Sequence, residues 1–365
     1  MVDYSPPQPG MRVSIIGDGA WGTASAMLLH NKGYDVRVWG AFPEYTREII
    51  RSRQNYKYLP GIPLPESLVF TNDLTETLRG SRLVVMALPS HVMREVARRV
   101  AAALPEPTPF LSLAKGLEAD TLKRMSVVLR EVTNLPQIAV LSGPSHAEEV
   151  ARRLPTAVVA ASEQLNLATF VQDVFSTPTF RVYTNTDVVG VELCATLKNV
   201  IAICAGAVDG FGYGDNAKSA LLTRGLVEMV RFGTALGGKV ETFFGLAGVG
   251  DLITTCFSRY SRNRGFGERV ARGMSVADAL AASTGVVEGY RNAPIIRALA
   301  RKLNIEMPIT EALCQVLYEG KDIRDAVAQL MTRERKSEHP TGHPLRRWVR
   351  LMLLRARVML MMQSF

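Results

Sequence analysis

The sequence predicts an α/β domain built on a doubly wound, mostly parallel sheet, followed by an all-helical domain. Residues 12–39 show the order strand, glycine-rich turn, helix, strand, and apolar strands go on alternating with helical segments as far as Tyr183. After Asp187 the strand patterns stop, and helical segments joined by glycine-rich connections continue to about Arg335. This change of pattern marks a domain boundary. The predicted units are residues 1–190, residues 191–338 and a C-terminal extension, residues 339–365.

Length and composition are those of a globular protein with room for two hydrophobic cores. The chain has 365 residues, of which 47% are hydrophobic and 21% charged. The first ten residues are polar and proline-rich, unlike a signal peptide, and no apolar run reaches the length of a transmembrane helix. The four cysteines lack the spacing of metal ligands. We therefore expect a cytoplasmic protein with reduced thiols and no metal site.

The net charge of +9 is concentrated in the C-terminal extension. Residues 339–365 contain five arginines and no acidic residue, so the body of the chain is only mildly basic. The sequence has no nucleic-acid-binding motif and no basic stripe interleaved with aromatic residues, so we expect no nucleic-acid partner. A few local positive charges are enough to bind an anionic small molecule.

The first functional motif is the G-x-G-x-x-G formed by Gly17, Gly19 and Gly22, which follows a strand at 12–16. In such a motif the first glycine makes the tight turn, the second lets the backbone reach a pyrophosphate, and the third lets helix and strand pack closely. Free N–H groups and the helix dipole then bind the phosphates. A glycine turn in another α/β unit is the alternative, but the second strand at 35–39 favours a Rossmann dinucleotide site.

The end of the second strand leaves the choice between NADH and NADPH open. Trp39 is followed by Gly40 and Ala41, without the Asp or Glu that binds a ribose 2′-hydroxyl. Three basic residues follow on a short helical stretch, where they either meet a 2′-phosphate or form a solvated face: Arg47, Arg51 and Arg53.

Polar residues follow the later strands of the predicted sheet. The strands are expected at 83–88, 110–114, 138–141, 156–161 and 180–183. Because ligands bind beyond the carboxyl ends of parallel strands, we expect Ser90, Lys115 and residues 143–147 to lie at the binding edge.

A long helix at 188–207, with Asp187 as its N-cap, carries a lysine on an apolar face. The neighbours of Lys198 at helical spacing are all apolar or small, so the ammonium group is predicted to be desolvated. A lysine in this environment has a lowered pKa and is a candidate acid/base group. The alternatives are a lysine that reaches solvent, or one that is paired with Glu192 or Glu228.

Two further polar stretches lie in the helical domain. The glycine-rich segment 245–252 delivers Asp251, which is either a helix N-cap or a partner that orients Lys198. Ser261, Arg262 and Asn263 place a hydroxyl, a guanidinium and an amide in succession, a set that suits a phosphate but also occurs as ordinary surface polarity.

Taken together, these stretches resemble the bacterial NAD(P)-dependent sn-glycerol-3-phosphate dehydrogenases over residues 11–335. Eight motifs occur in the order of that family: GDGAWGTA (17–24), AKGLE (114–118), SGPSHAEE (142–149), LKNVIAI (197–203), LLTRGL (221–226), LAGVGDL (246–252), SRNRGFG (261–267) and VVEGYRN (286–292). The resemblance implies a Rossmann domain followed by an all-α domain of the 6-phosphogluconate-dehydrogenase-like type. It also implies reversible reduction of dihydroxyacetone phosphate to sn-glycerol 3-phosphate by NADH or NADPH, which supplies glycerophospholipid synthesis.

The resemblance also implies roles for individual residues. Lys198 is the expected acid/base residue, which protonates the carbonyl oxygen as hydride reaches the adjacent carbon. The expected substrate contacts are Lys115, Gly143, Ser145, Lys198, Asp251, Ser261, Arg262 and Asn263. The expected cofactor contacts are Gly17, Gly19, Ala20, Trp21, Gly22, Lys115, Ala147, Arg262, Val286 and Glu288.

Two other functions remain as alternatives. One is a reductase of the same architecture that acts on a 2-keto or 3-hydroxy acid, and the Ser261–Arg262–Asn263 stretch disfavours it. The other is a catalytically silent dinucleotide-binding protein, which the joint presence of Lys198, Asp251 and Arg262 disfavours. A homodimer is expected, because apolar helical domains of this kind commonly form dimers.

The C-terminal extension from Pro344 onward reads as a basic and apolar helix. Four of its arginines fall within an arc of about 100° when the segment is drawn as a helix, which is typical of a membrane-surface segment. Packing on the body or on a second subunit is the main alternative, and disorder is the third.

Overall fold

The computed structural model describes residues 4–335, 337 and 338. Its first half contains an eight-stranded sheet formed by β1 (Arg12–Ile16), β2 (Asp35–Trp39), β3 (Val69–Thr71), β4 (Leu83–Met86), β5 (Phe110–Ser112), β6 (Ile138–Ser142), β7 (Thr156–Ser162) and β8 (Phe180–Asn185). The helices between these strands are α1 (Ala20–Asn31), α2 (Pro43–Ser52), α3 (Leu74–Leu78), α4 (Met93–Ala103), α5 (Met125–Thr133), α6 (Ala147–Ala151) and α7 (Leu165–Phe175).

The strand order is β3-β2-β1-β4-β5-β6-β7-β8, and only the β6–β7 pair is antiparallel. The order reverses between β1 and β4, so a crevice opens at their carboxyl ends, where doubly wound sheets bind ligands. The strand register aligns the carboxyl ends of β1, β2 and β4 at this edge of the sheet, since Ile16 of β1 pairs with both Trp39 of β2 and Met86 of β4.

Both faces of the sheet are covered, which explains why the strands are almost continuously apolar. Val13 and Ile15 belong to the core on one face, and Ile16 and Trp39 belong to the core on the other. Ser14 is fully buried between them, and its hydroxyl donates to the carbonyl of Thr77 at 2.6 Å. The alternation of strand side chains therefore gives one hydrophobic core on each side.

In the described residues of the second half, every regular element is a helix, and turns or loops join these helices. Its elements are α8 (Val188–Phe211), α9 (Gly214–Ala235), α10 (Val240–Phe243), a π-helical turn (Leu246–Gly250), α11 (Asp251–Phe257), α12 (Arg262–Ala271), α13 (Val276–Ala281), α14 (Glu288–Lys302), α15 (Pro308–Glu319) and α16 (Ile323–Met331). The predicted fold class is confirmed: a mostly parallel α/β sheet is followed by an all-helical region.

Helix α8 is the centre of the helical region and also packs on the sheet. Its apolar side chains share one core with Val140 of β6 and Val159 of β7. Small residues allow close contacts with other helices: a Cβ added at Gly206 would lie only 1.9 Å from the carbonyl oxygen of Arg264 in α12. The backbones of α8 and α12 therefore touch, which holds the start of α12 against the helix that carries Lys198.

The boundaries of several elements differ from the sequence predictions. Helix α8 starts at Val188 with Asp187 as its N-cap, as expected. It runs four residues beyond position 207 and ends at Phe211, with Gly212 as its C-cap at a φ of +67°. The strands predicted at 83–88 and 110–114 each end two residues earlier than expected, because the chain turns away as it reaches the edge of the sheet. Strand β3 was not predicted, because three residues are too short to show alternation.

Within the described residues, two helical stretches are long and apolar enough to cross a membrane, contrary to the expectation from the sequence. In α8 the most apolar window is 89% buried inside the protein, as in the central helix of a globular core. The second stretch, Val240–Phe257, is 44% buried and is divided into α10, the π-helical turn and α11. Length and composition alone do not separate a core helix from a membrane span.

Candidate active site

A buried ion pair between α8 and α11 lies at the centre of the site. Lys198 is 4% exposed and Asp251 is 2% exposed. The Lys198 ammonium donates to Asp251 Oδ1 at 2.5 Å and to Thr255 Oγ1 at 2.7 Å. Thr255 lies one helical turn after Asp251, and its hydroxyl donates to the same carboxylate at 3.2 Å. The functional end of Lys198 is therefore held by α11.

The second lysine of the site comes from the sheet edge. Lys115 follows β5, and its ammonium donates to Asp251 Oδ2 at 2.9 Å and to the carbonyl of Gly143 at 3.3 Å. The Ser145 hydroxyl donates to that same carbonyl at 2.9 Å. The structure thus brings Lys115, Gly143, Ser145 and Asp251 together around Lys198.

The electrostatics of the ion pair set the protonation of Lys198. Burial lowers the pKa of the Lys198 ammonium to about 7, because Asp251 only partly offsets the loss of solvation and Lys115 adds a like charge. Burial opposes ionisation of Asp251, but Lys115 and Lys198 hold the pKa of its carboxyl below the usual range. These effects favour an ionised Asp251 and place the pKa of Lys198 near neutral pH.

His146 is a neighbour of the pair; it belongs to the stretch 143–147 expected at the binding edge, but no individual role was predicted for it. Burial, together with the charges of Lys198 and Lys115, lowers the pKa of the imidazole to about 4, so the ring is neutral at physiological pH. Its Nε2 is buried and has no hydrogen-bond partner among the described residues. The ring lies 6.0 Å from that of Tyr260.

The glycine motif has the geometry that a pyrophosphate requires. Gly17 has a φ of +118°, and a Cβ there would lie 2.5 Å from the carbonyl oxygen of Ala87. A Cβ at Gly22 would lie 2.0 Å from the Gly17 carbonyl oxygen, whereas one at Gly19 would meet nothing within 4 Å. The open side at Gly19 is where a ligand can approach the backbone. Among the residues that the structure describes, no side chain caps the N-terminus of α1.

The other expected cofactor contacts lie around this motif. Ala20 and Trp21 begin α1, and the Trp21 ring lies 6.3 Å from that of Phe180. Ala147 is the first residue of α6, which packs on α1. Val286 lies two residues before α14 and is only half-buried.

Glu288 connects the helical region to the sheet. Its carboxylate accepts hydrogen bonds from the Ser90 amide at 3.1 Å and the Ser90 hydroxyl at 3.0 Å, just beyond the carboxyl end of β4. Burial raises the pKa of this carboxyl, and the Ser90 hydrogen bonds act in the opposite direction. Asn292, one turn later, is fully buried and accepts from the Leu117 amide at 2.8 Å. The start of α14 is thereby fixed to two strand ends.

The Ser261–Arg262–Asn263 stretch forms the start of α12. Ser261 is the N-cap, and its hydroxyl oxygen accepts from the Arg264 amide at 3.2 Å. Asn263 donates to Asn199, the neighbour of Lys198, at 2.9 Å and accepts from the Gly289 amide at 2.8 Å. The Arg262 side chain is exposed and reaches Gly285, where an added Cβ would lie 2.8 Å from its Nη1. Asn263 therefore also joins α12 to α8 and α14, whereas Ser261 caps α12 itself.

Several alternatives from the sequence are wrong. Lys198 does not reach solvent, and it is not paired with Glu192 or Glu228: Glu192 binds Arg124 at 2.6 Å, and Glu228 accepts from the Ile309 amide at 2.5 Å. Asp251 is not an N-cap either, because Gly250 holds that position.

Two of the three arginines at 47, 51 and 53 are engaged elsewhere. Arg51 pairs with Glu48 at 2.9 Å, and Arg53 pairs with Glu66 at 3.3 Å. The sequence missed Thr255, Asn199 and Asn292 as neighbours of the site. Thr255 had a signal in its spacing, four residues after Asp251, and Asn199 and Asn292 lie within the family motifs 197–203 and 286–292, although no role was predicted for them.

Comparison with known proteins agrees with this architecture. Residues 12–168 match the family described as NAD-dependent glycerol-3-phosphate dehydrogenase N-terminus, and residues 187–328 match the corresponding C-terminus family. A glycerol-3-phosphate dehydrogenase (NAD(P)+) of Moorella thermoacetica is 50% identical over 330 residues, 90% of this chain and 98% of that protein. One from Chlorobium phaeobacteroides is 45% identical over 90% of this chain and 99% of that protein.

Solved structures give the same result. The crystal structure of a glycerol-3-phosphate dehydrogenase from Coxiella burnetii has a TM-score of 0.86 and 39% identity, and covers 89% of this chain and all of that chain. A ketopantoate reductase from Ralstonia eutropha, with a TM-score of 0.54 and 18% identity, covers 88% of this chain and all of that one, and it shares the fold alone. The fold class, including a helical domain of the 6-phosphogluconate-dehydrogenase-like type, is that of the expected family. The chain belongs to the NAD-dependent glycerol-3-phosphate dehydrogenase family.

Proposed function

We propose that this protein catalyses the reversible reduction of dihydroxyacetone phosphate to sn-glycerol 3-phosphate with NADH or NADPH, in the cytoplasm, and supplies glycerophospholipid synthesis. The observation that carries the proposal is the buried Lys198–Asp251 pair next to Lys115, in a chain of this family. The pair supplies a proton donor where the carboxyl edge of the sheet meets the helical region. We further propose that residues 1–190 form the cofactor domain and residues 191–338 the substrate domain.

Lys198 is proposed as the general acid. In its charged form the ammonium gives a proton to the carbonyl oxygen of the substrate, and in the reverse direction the neutral amine takes it back from the hydroxyl. A pKa of about 7 places the group near operating pH, where proton transfer is most effective. Asp251 keeps the ammonium in place and favours its charged form, while Lys115 is positioned to bind the oxygen-bearing end of the substrate.

The phosphate of the substrate is proposed to meet Ser261, Arg262 and Asn263, with Gly143 and Ser145 on the other side. The guanidinium of Arg262 is exposed and has no hydrogen-bond acceptor among the described residues, so its planar donors are available to an anion. The Ser261 hydroxyl oxygen accepts from the Arg264 amide, which leaves its proton for a ligand.

The dinucleotide is proposed to lie along Gly17, Gly19, Ala20, Trp21 and Gly22. Three features fit a ligand that brings phosphates and hydroxyls: the open backbone at Gly19, the start of α1 without a side-chain cap, and the buried Asp18 Oδ2 without a hydrogen-bond partner, the two absences holding for the described residues. When bound, the nicotinamide supplies or accepts the hydride. Further proposed contacts are Lys115, Ala147, Arg262, Val286 and Glu288.

The test of the reaction is the absorbance of reduced nicotinamide with purified protein and dihydroxyacetone phosphate, with NADH and NADPH in parallel. Oxidation of either cofactor that depends on the substrate is the expected result. A 2-keto acid in place of the triose phosphate tests the other-reductase alternative. Binding of both cofactors without oxidation in either assay contradicts the proposed activity and favours a silent dinucleotide-binding protein.

The substitution Lys198→Ala tests the role of Lys198 as the general acid. General acid catalysis contributes typically about 10²–10⁴-fold, so turnover is expected to fall by at least this much while cofactor binding stays unchanged. Lys218→Ala is the matched control, because Lys218 is also a buried lysine, 6% exposed and paired with Asp209 at 2.9 Å, but lies outside the site. Retention of more than about a tenth of wild-type turnover in Lys198→Ala contradicts the role of Lys198.

We also propose a homodimer. Leu154, Ile253 and Phe257 are each about half exposed and line one surface groove of roughly 450 Å³, an apolar face that a second copy would cover. Sedimentation of the full chain is expected to give a dimer, and Ile253→Asp a monomer. A monomeric wild-type protein at micromolar concentration contradicts the proposal.

The C-terminal extension, residues 339–365, lies outside the described residues. Its arginines and apolar residues support peripheral membrane contact as a proposal from the sequence. The full chain is expected to sediment with anionic liposomes at low salt, and a chain without residues 340–365 to stay in the supernatant. Full-length protein that remains in the supernatant at low salt contradicts membrane contact.

A further inference from the structure

The end of β2 has no acidic side chain, but a carboxylate reaches it from the glycine motif. Asp18 is the second residue of that motif and is 7% exposed. A Cβ added at Gly40, the residue after β2, would lie only 2.4 Å from Asp18 Oδ2. The Asp18 carboxylate therefore occupies the space in which a side chain at position 40 would begin.

The position of Asp18 is fixed from several sides. Its backbone carbonyl accepts hydrogen bonds from Asn55 Nδ2 at 2.8 Å and from Thr23 Oγ1 at 3.3 Å, and Asn55 itself is fully buried. On the other side, Asn72 Nδ2 donates to the Gly40 carbonyl at 2.7 Å and to Thr46 Oγ1 at 2.9 Å. The motif and the end of β2 are thus each held by a buried or half-buried amide.

One oxygen of the Asp18 carboxylate receives no hydrogen bond from the described residues. Asp18 Oδ2 is buried and has no hydrogen-bond partner among the described residues. An unpartnered buried carboxylate oxygen is costly in a folded protein unless a ligand supplies a donor. In doubly wound folds that bind dinucleotides, the end of β2 is next to the adenosine ribose.

We propose that Asp18 accepts a hydrogen bond from the ribose 2′-hydroxyl of the dinucleotide and makes this site prefer NADH to NADPH. Asp18 has this role only if the dinucleotide binds along residues 17–22 as proposed above. The 2′-hydroxyl supplies the donor that Oδ2 lacks. A 2′-phosphate brings negative charge against a carboxylate that cannot move away, because Gly40 and Thr46 enclose it. Gly40 is then required for the carboxylate to fit, which explains the missing acidic residue at that position.

The three arginines on and just after α2 do not offset this charge. Arg51 and Arg53 are paired with Glu48 and Glu66, as described above. Arg47 is exposed, and it is the remaining candidate for a 2′-phosphate among the three arginines. Burial raises the pKa of the Asp18 carboxyl to about 6, so Asp18 is still mostly ionised at pH 7.5, where the test is made.

The test is calorimetric titration of the full-length protein with NADH and with NADPH, in the absence of substrate. Wild-type protein is expected to bind NADH at least tenfold more tightly. In Asp18→Asn we expect weaker NADH binding and tighter NADPH binding, so that the ratio of the two dissociation constants falls about tenfold or more. Glu44→Gln is the matched control, because it removes one negative charge at an exposed position on α2 and is expected to leave the ratio unchanged. Arg47→Gln is expected to leave it unchanged as well.

Each other outcome overturns the role of Asp18. Wild-type protein that binds both cofactors equally, or NADPH more tightly, contradicts it without reference to any variant. An unchanged ratio in Asp18→Asn, or loss of NADPH binding in Arg47→Gln, would show that a residue other than Asp18 recognises the 2′ position of the ribose. Neither result would contradict the proposed dinucleotide site. Failure of wild-type protein to bind either cofactor contradicts both proposals. The melting temperature of Asp18→Asn verifies that the variant is folded, and it is expected to equal or exceed that of wild type because the substitution removes a buried charge whose ionisation burial disfavours.

Discussion

The Lys198 ammonium lies 2.5 Å from Asp251 Oδ1, and both side chains are almost completely removed from water. The two residues come from different helices, 53 positions apart along the chain. Burial lowers the pKa of Lys198 and the attraction of Asp251 raises it, so the balance of the two decides where the lysine titrates.

The first prediction concerns the pH dependence of the wild-type enzyme. Lys198 must be charged to act as an acid and neutral to act as a base. With a pKa of about 7, kcat for reduction should fall as pH rises through neutrality, and kcat for oxidation should rise. His146→Asn is the control and should keep the transition, because the His146 pKa is about 4. Two profiles with the same trend would show that another group sets the rate.

The second prediction concerns Asp251→Asn. Loss of the anion removes the interaction that favours charged Lys198, so the pKa of the lysine should fall further. The drop in reductive kcat should then move to lower pH by about one unit or more, a typical effect of an opposite charge at this distance. The measurement is the pH profile, with the melting temperature as a check on folding, and Asp251→Glu should restore much of the original profile. A profile that does not move would mean that Asp251 has only a structural role.

The third prediction separates two glycines of the same motif. Gly19→Ala adds a Cβ into open space, so it should leave the melting temperature unchanged but weaken binding of NADH and NADPH. Gly22→Ala places a Cβ 2.0 Å from the Gly17 carbonyl oxygen and should destabilise the fold by about 1–3 kcal/mol. Thermal unfolding and cofactor titration of the two variants test this. Unaltered cofactor binding in Gly19→Ala would argue against a pyrophosphate at this loop.

The fourth prediction concerns Asn292, which joins α14 to the loop after β5. Asn292→Ala leaves the buried Leu117 amide without its acceptor, so the free energy of unfolding should fall by about 1–3 kcal/mol. The neighbouring Arg291→Ala, at an exposed position, should have little effect. Urea denaturation measures both. Equal stability of the two variants would show that the Leu117 amide finds another acceptor.

Much of the architecture could be predicted from the sequence, because it depends on local patterns. The period of the apolar residues gave the strands and helices, and the change after Asp187 gave the all-helical region. The spacing of Gly17, Gly19 and Gly22 predicted a tight turn, which the positive φ at Gly17 confirms. A strand of three residues, β3, is too short for such a pattern and was missed.

The partners of the charged residues could not be predicted in the same way. Apolar neighbours on one helix were enough to show that Lys198 is desolvated, since residues three and four apart share a face. They did not show whether Asp251, Glu192 or Glu228 would be its partner. That depends on how α11 packs on α8, and the close contacts of those helices are set by side chains far apart in sequence.

The sequence by itself determined the two-part fold, the glycine turn and the desolvation of Lys198, because each follows from residues within a few positions of one another. Only the tertiary structure decided that Asp251 is shared by Lys198 and Lys115, that Glu288 is bound to Ser90, and that the Asp18 carboxylate lies against Gly40. Each of these depends on the distance between segments that only packing brings together, and electrostatic interactions change steeply with that distance and with burial.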